Sequence, residues 1–474
     1  MLIELPILVT ILGIILAAFT SAHAVLHKRE ERAAIGWVGL IWLVPILGPA
    51  LYVTLGINRI RRRAVRLRSR GHPGLAAGDL RSEAGPGPDL DENVTKLGTL
   101  VGNMTGVPST PGNKITPLVD GDEAFPAMLE TIEAAQNTIG MCTYIFDHDE
   151  IGVRFIEALE RAVRRGVEVR VLVDAVGARY SRPRTPGVLR HKGVPTAEFL
   201  KSLGIMKMPY LNLRNHRKIL VADGRIGFTG GINVRAGCLR ESPAGDRIRD
   251  THFCLQGPIV RQLTQIFAED WEFTTGEPLS GESWFPPLQE AGQDPARAIP
   301  DGPDDDLGQL RWVLLAAIGQ ARKQIRILTP YFLPDRTIYD SLYLASMRGV
   351  EVEIILPESS NLRIVQWAMT ADVALALAGG CRVWLSPAPF DHSKIMTVDG
   401  EWSLFGSGNW DPRSLRLNFE FNVECYGREL AGTLDGIIDD KMRGGRLLTP
   451  AMLDSRRLPI RLRDGVARLF KPYL

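Results

Sequence analysis

One set of five residues recurs in the chain at a fixed spacing. His216, Lys218, Asp223, Gly224 and Asn233 stand at offsets 0, +2, +7, +8 and +17, and His392, Lys394, Asp399, Gly400 and Asn409 repeat those offsets 176 residues later. At ordinary residue frequencies, four matching offsets arise by chance with odds on the order of one in ten thousand. An imidazole, an ammonium and an amide donor suit a phosphoryl group: one attacks or delivers a proton while the others hold anionic oxygens. Two copies make that chemistry symmetric. One histidine attacks phosphorus; the other, protonated, gives a proton to the leaving oxygen and then takes one from the incoming nucleophile. The chemistry needs no metal or cofactor, and the sequence carries no H-E-x-x-H, no C-x-x-C and no dense carboxylate cluster at ligand spacing.

The elements that must position these groups can be read around each copy. Lys218-Ile219-Leu220-Val221 and Lys394-Ile395-Met396-Thr397-Val398 are β-rich runs that end in Asp-Gly, so each predicts a strand entering a tight hairpin. Residues i and i+2 of a strand share a face, which puts His216 beside Lys218 and His392 beside Lys394. A second strand, Arg225 to Thr229 or Glu401 to Phe405, returns to Gly230-Gly231-Ile232-Asn233 or Gly406-Ser407-Gly408-Asn409 and brings an amide and open backbone N–H groups back to the histidine. Ser407 is a candidate helper in phosphate binding. Asp223 and Asp399 belong to the repeat and count as candidate catalytic residues, although an Asp before Gly also forms turns.

Both copies, extended by Asp411-Pro412-Arg413-Ser414 after the second, resemble the paired signatures of the phospholipase D superfamily, and within it the chain is similar to bacterial cardiolipin synthases. The resemblance runs from the apolar N-terminus to Ala467-Arg468-Leu469-Phe470-Lys471-Pro472. It implies an α/β fold of two tandem phospholipase D-like sandwich lobes related by a pseudo-twofold, an active site between them and a phosphohistidine intermediate. It also implies an acidic residue behind each histidine: Asp250 for His216 and Glu420 for His392. Such a carboxylate would fix the tautomer and leave Nε2 toward phosphorus. By analogy His216 is the nucleophile and His392 the acid and then the base, with the reverse order open. The sequence departs from the family pattern at Ile248 and Cys238.

At 474 residues, 45% hydrophobic and 23% charged, the chain is long enough for two or three domains with sizeable cores, and a net charge of +2 does not suggest a nucleic-acid binder. Leu5 to Leu26 and Ala33 to Ile57 contain no charged residue, giving runs of 22 and 25 residues, where roughly 20 helical residues span the hydrocarbon. Two transmembrane helices are therefore expected. A cleaved signal peptide fits less well, because Met1-Leu2-Ile3-Glu4 has no basic residue and a second apolar run follows closely. Seven arginines between Arg59 and Arg70 follow the second run without an acidic residue among them, which places the catalytic part in the cytoplasm of a multi-pass inner-membrane protein. That basic run also suits anionic lipid, at ~1 kcal/mol per residue. Five scattered cysteines read as reduced and packed.

The expected organisation is a membrane anchor over 1–70, a linker over 71–112, one lobe over 113–276, a second Pro- and Asp-rich linker over 277–307 and the other lobe over 308–474. Arg165-Gly166-Val167-Glu168-Val169 returns as Arg348-Gly349-Val350-Glu351-Val352, so the halves echo each other beyond the histidines. Phosphodiester transfer on a lipid follows from motif and anchor together. The resemblance specifies phosphatidylglycerol, two molecules of which would yield cardiolipin and glycerol. A phospholipase D hydrolase, a phosphatidylserine synthase, a nuclease of the same superfamily and an inactive membrane scaffold are the alternatives. The sequence leaves the oligomeric state open.

Overall fold

The computed structural model describes residues 4–28, 31–56, 90–200, 213–242, 247–302 and 308–471. The arginine run from Arg59 to Arg70, most of the first linker and Pro472 lie outside the described residues. By contacts the chain divides into an N-terminal apolar unit and a second unit that carries everything from Leu90 onward apart from the stretch 202–212.

In the N-terminal unit, helix α1 (Glu4–His27) includes an apolar span, Val9–His27, of 19 residues, long enough to cross a bilayer. The second expected transmembrane helix is not a single helix. It is broken into α2 (Glu31–Leu43), α3 (Leu47–Leu51) and one π turn (Tyr52–Gly56). Pro45 disfavours helical backbone at the residue before it. Gly48 then lets the chain fold back so closely that a Cβ there would lie 2.5 Å from Leu40 O. Tyr52 Oη lies 2.8 Å from His23 Nδ1, and Lys28 Nζ donates to Gly56 O at 2.6 Å, tying the end of this broken segment to the end of α1.

The second unit is built on one large mixed sheet. The strands from the first half of the chain are β1 (Thr110–Val119), β2 (Thr138–Thr143), β3 (Glu168–Asp174), β4 (Thr196–Phe199), β5 (Arg214–Asn215), β6 (Ile219–Ala222), β7 (Ile226–Gly230), β8 (Ile248–Arg249) and β9 (Thr251–Gln256). The second half supplies β10 (Asp294–Asp301), β11 (Gln324–Leu328), β12 (Glu351–Pro357), β13 (Arg382–Ser386), β14 (Phe390–Asp391), β15 (Ile395–Val398), β16 (Trp402–Gly406), β17 (Asn418–Tyr426) and β18 (Arg446–Leu448). From one edge the order is β4-β3-β2-β6-β7-β9-β1, and it continues β10-β17-β16-β15-β11-β12-β13-β18. Apart from β18, the second series is the first in reverse, so the duplicated spacing is matched by a duplicated topology. The seam is a short antiparallel contact in which Thr110 faces Ala296 and Asn113 faces Asp294.

Helices cover the sheet, and two separate apolar cores form. One gathers Phe125, Phe155, Val171 and Leu220; the other gathers Leu314, Ile354, Met396 and Trp402. Strands buried on both faces explain the near-continuous apolar runs at Ile219–Ala222 and Ile395–Val398. Two segments read as linker are structured. A helix, Glu92–Thr105, capped by Asp91 and closed by Gly106 at φ +66°, occupies the first. Strand β10 occupies the second despite Pro295 and Pro300, and its buried Arg297 is paired with Glu424 at 3.2 Å.

Candidate active site

The Asp-Gly turns are type I′ hairpins. Asp223 and Gly224 have φ of +52° and +59°, Asp399 and Gly400 of +56° and +67°, as the twist of two-residue hairpins requires. The Asp223 carboxylate accepts backbone N–H from Gln136, Asn137 and Thr138 at 2.6–2.9 Å, and Asp399 does the same for Arg322, Lys323 and Gln324 at 2.7–2.9 Å. Both carboxylates are thus spent on the first residues of β2 and β11, at the opposite end of β6 and β15 from the histidines. This corrects their candidacy as catalytic groups: they clamp the hairpin that aims the histidine.

At the other end, each histidine is held by the other half of the chain. β5, just before His216, runs parallel to the start of β17, and His216 N–H donates to Phe419 O at 2.9 Å. β14, just before His392, runs parallel to β8, and His392 N–H donates to Arg249 O at 2.7 Å. The carboxylates follow the strands. His216 Nδ1 lies 3.0 Å from Glu420 Oε2, and His392 Nδ1 lies 2.8 Å from Asp250 Oδ2. The acidic partners expected from sequence are therefore the right residues with the wrong assignment: Glu420 serves His216 and Asp250 serves His392. Spacing along the chain cannot reveal a partner that arrives by strand exchange.

The two imidazoles meet edge to face, centroids 6.4 Å apart and planes at 83°. Tyr144 stands 5.3 Å from the His216 ring and Tyr331 6.2 Å from the His392 ring. Lys218 Nζ donates to His216 O at 2.7 Å and Lys394 Nζ to His392 O. Each ammonium has three N–H groups, so two remain beside each imidazole. Asn233 uses its side-chain oxygen to accept Ile145 N–H at 3.0 Å, while the buried Asn409 Oδ1 has no donor among the described residues.

The two carboxylates differ in support. Glu420 also accepts from Ser407 Oγ (2.5 Å), Ser414 Oγ (2.8 Å) and Asn418 Nδ2 (3.1 Å). Asp250 receives Thr251 N–H at 2.8 Å besides its histidine. Its neighbour Gly231 occupies the place of Ser407, and a Cβ there would lie 2.2 Å from Asp250 Oδ1. Burial pushes Asp250 up to about 6, only partly offset by Lys394. Burial also pushes Glu420 up, but His216, Lys218 and Ser407 outweigh it and hold the group below its ordinary value. Both histidines are pushed down, first by burial; Glu420 partly offsets this at His216, and the neighbouring lysines add to it at both. Burial lowers Lys218 to about 7 and Lys394 to about 8.

Sequence reading missed the ion pairs that brace the histidine strands. Arg217 pairs with Asp270 at 2.6 Å, and Asp391 pairs with Lys441 at 2.6 Å, all four buried. One pair takes its cation from the residue after the histidine and the other its anion from the residue before, so the repeat is structural and invisible to residue matching. Ile248, a departure from the family pattern, is the β8 residue opposite Phe390, and Cys238 is buried. Among the described residues no group of three or more His, Cys, Asp or Glu could hold a metal ion.

A mixed α/β sheet whose two halves each send a histidine to one cleft defines the class, and the comparisons agree with it. A family model described as cardiolipin synthase, PLD-like domain, matches residues 128–271 and again 314–442, one match containing His216 and Asp250 and the other His392 and Glu420. The chain therefore belongs to the phospholipase D superfamily, in the family of cardiolipin synthase PLD-like domains. A second model, described as phospholipase D-nuclease N-terminal, matches residues 9–56. Among relatives, the chain is 31% identical over 462 residues to cardiolipin synthase 2 of Staphylococcus epidermidis, covering 95% of this chain and 94% of that one. It is 30% identical over 477 residues to cardiolipin synthase 1 of Bacillus anthracis, covering 98% and 92%. The crystal structure of phosphatidylserine synthase from Haemophilus influenzae shares the fold at 17% identity, with a TM-score of 0.59 over 80% of this chain and 100% of that one.

Proposed function

We propose that the chain is a membrane-anchored phosphatidyltransferase that joins two phosphatidylglycerol molecules into cardiolipin and releases glycerol, using two phospholipase D-like lobes related by a pseudo-twofold. The observation that carries this reading is the pair of imidazoles 6.4 Å apart, each backed by a carboxylate from the opposite half. The Nδ1–H bond to each carboxylate turns Nε2 toward the other ring, where His216 offers a lone pair and His392 carries the proton that the leaving oxygen needs.

With the anionic diester bound between the rings, His392 carries a proton on Nε2; His216 Nε2 attacks phosphorus, the bond to the glycerol oxygen breaks, and that oxygen takes the His392 proton. The phosphatidyl group is then held on His216. A hydroxyl of the second phosphatidylglycerol loses its proton to His392 and attacks phosphorus, which frees His216. The asymmetric carboxylates favour this order over its reverse: the firmly ionised Glu420 suits a histidine that must carry a phosphoryl group, whereas Asp250, raised to about 6, is the more basic of the two and supports a proton on His392. Lys218, Lys394, Asn233 and Asn409 bind the phosphoryl oxygens, and Ser407 acts through Glu420.

Residues 1–70 form the anchor, in which the apolar helix Val9–His27 and the folded-back second run enter the inner membrane as a hairpin. The arginines after it keep the catalytic unit on the cytoplasmic side, and the lobes begin near 113 and 308. Purified full-length protein given phosphatidylglycerol, with products identified by mass spectrometry, tests the reading. Cardiolipin and glycerol are expected; phosphatidic acid as sole product would replace transfer with hydrolysis.

A further inference from the structure

The C-terminal helix Leu458–Leu469 is turned the wrong way round for a soluble surface. Its buried residues are Asp464 and Ala467, and Asp464 is neutralised there by Arg456 (2.6 Å) and Arg463 (2.7 Å). Its apolar residues point outward: Leu458 is 67% exposed, Leu462 60%, Val466 55% and Leu469 74%. Their spacing of i, i+4, i+8 and i+11 is one continuous helical stripe, about 80° wide at 3.6 residues per turn. Phe470, half exposed, extends it by one residue.

A cationic edge runs along one flank of the stripe. On the same helical wheel Arg457, Arg461 and Arg468 fall together, and neither Arg457 nor Arg468 makes an ion pair among the described residues. An outward apolar stripe with an arginine border is the pattern of a helix that lies in a lipid–water interface. The helix packs on the helix Arg363–Asp372, where Arg463 stacks on Trp367 at 4.4 Å. The N-terminal end of that second helix exposes its cap residue Leu362 and Ile364, next to Asn361, which accepts a 2.7 Å hydrogen bond from Tyr331 beside His392.

We propose that this stripe is a docking surface for the anionic leaflet of a bilayer, with Leu458, Leu462, Val466, Leu469 and Phe470 in the headgroup region and the arginines on lipid phosphates. The surface belongs to the unit that holds the histidines and presents the His392 side of the active site to its lipid. Its placement stands without the proposed reaction; only the activity measurement below rests on that reading.

The full chain carrying Leu462→Cys, labelled with an environment-sensitive fluorophore and reconstituted in phosphatidylglycerol vesicles, provides the test. Unsubstituted protein labelled in parallel and Glu157→Cys on the exposed face of another helix serve as controls. The expected result is blue-shifted emission at 462 alone, quenched by a nitroxide high on the acyl chains. Emission as water-like as at 157 overturns the proposal, and so does a blue shift that lipid nitroxides leave intact, which would mean that protein covers the stripe. In the second arm, L458E/L462E/L469E is assayed on vesicles and on monomeric short-chain phosphatidylglycerol. Withdrawing even one leucine from lipid, at ~1.5 kcal/mol, corresponds to about a tenfold loss. That loss is expected on vesicles with turnover of the soluble substrate unchanged, and wild-type turnover on vesicles overturns the proposal.

Discussion

Glu420→Gln isolates what the exchanged carboxylate does for His216. The substitution keeps size and removes one charge, but an amide offers one oxygen where the carboxylate offered two acceptors. Oε2 now takes His216 Nδ1 and Ser407 Oγ, and Oε1 takes Ser414 Oγ and Asn418 Nδ2. The amide nitrogen must replace one of them. Toward Ser414 and Asn418 the change is tolerable, because a hydroxyl can rotate and the unused Asn418 Oδ1 can turn to accept. The glutamine oxygen then stays on His216, the tautomer is preserved, and the variant should fold with a loss of no more than about 1–3 kcal/mol, the cost of one imperfectly satisfied donor. What is lost is the attraction between a carboxylate and a charged imidazole. At a separation of about 4 Å and an effective dielectric of about 20 this is ~4 kcal/mol, close to a factor of 10³ in rate. The assay is kcat/KM for cardiolipin formation in detergent micelles, beside a thermal melt. A thousandfold loss with a melting temperature a few degrees lower is expected. In a thermal-stability double-mutant cycle Glu420→Gln should couple to His216→Ala and not to His392→Ala. Activity within tenfold of wild type, or coupling to His392 instead, would refute the crossed assignment.

Other perturbations reach other parts of the site. Lys218 near 7 and Lys394 near 8 bind anions only while protonated, so competitive inhibition by inorganic phosphate should weaken as pH rises through 7 to 8 and be strong below it; a flat inhibition constant from pH 6 to 9 would remove the lysines from the phosphate site. Asp399→Ala deletes three backbone caps, which at ~1 kcal/mol each should cost about 3 kcal/mol of stability while kcat of the folded protein stays near wild type; a dead but fully stable variant would restore Asp399 to the chemistry. Lys441→Met strands the buried Asp391 carboxylate, a loss of about 3–5 kcal/mol, and the double variant Lys441→Met/Asp391→Leu should recover most of it in thermal melts.

Much of the site was legible because its chemistry demands residue types at fixed offsets on strands. The histidines, the lysines and the hairpins follow from the repeated offsets, from period-two geometry and from an Asp-Gly turn that tolerates positive φ, while the need for acidic partners came from the family resemblance. The partners' assignment was not legible, since β5 and β14 cross to the opposite half and nothing local records where a strand pairs. The Asp roles were misread for a related reason. A carboxylate in a motif can repeat as faithfully for three backbone N–H groups as for a substrate. β10 was hidden because proline and aspartate argue against a central strand, whereas its contact with β1 is short and its buried Arg297 is paired with Glu424. The second apolar run carried its own breaker in Pro45 and Gly48, whose effect on direction depends on the tight packing against Leu40.

The strand exchange explains why the chain is duplicated at all. A single half places a histidine on a hairpin and a carboxylate on the next strand, yet gives the histidine neither its backbone anchor nor its carboxylate; both come from the other copy. A half alone would leave Glu420 or Asp250 without its histidine and each imidazole free to take the wrong tautomer. Two fragments cut between 302 and 308 should therefore be inactive apart and active when co-expressed. Rescue should survive Glu420→Gln in the first fragment's partner no better than in the intact chain, because that carboxylate always serves the histidine across the seam. Full turnover from one monomeric fragment would show that the crossed contacts are dispensable and that the symmetry is inherited without being used.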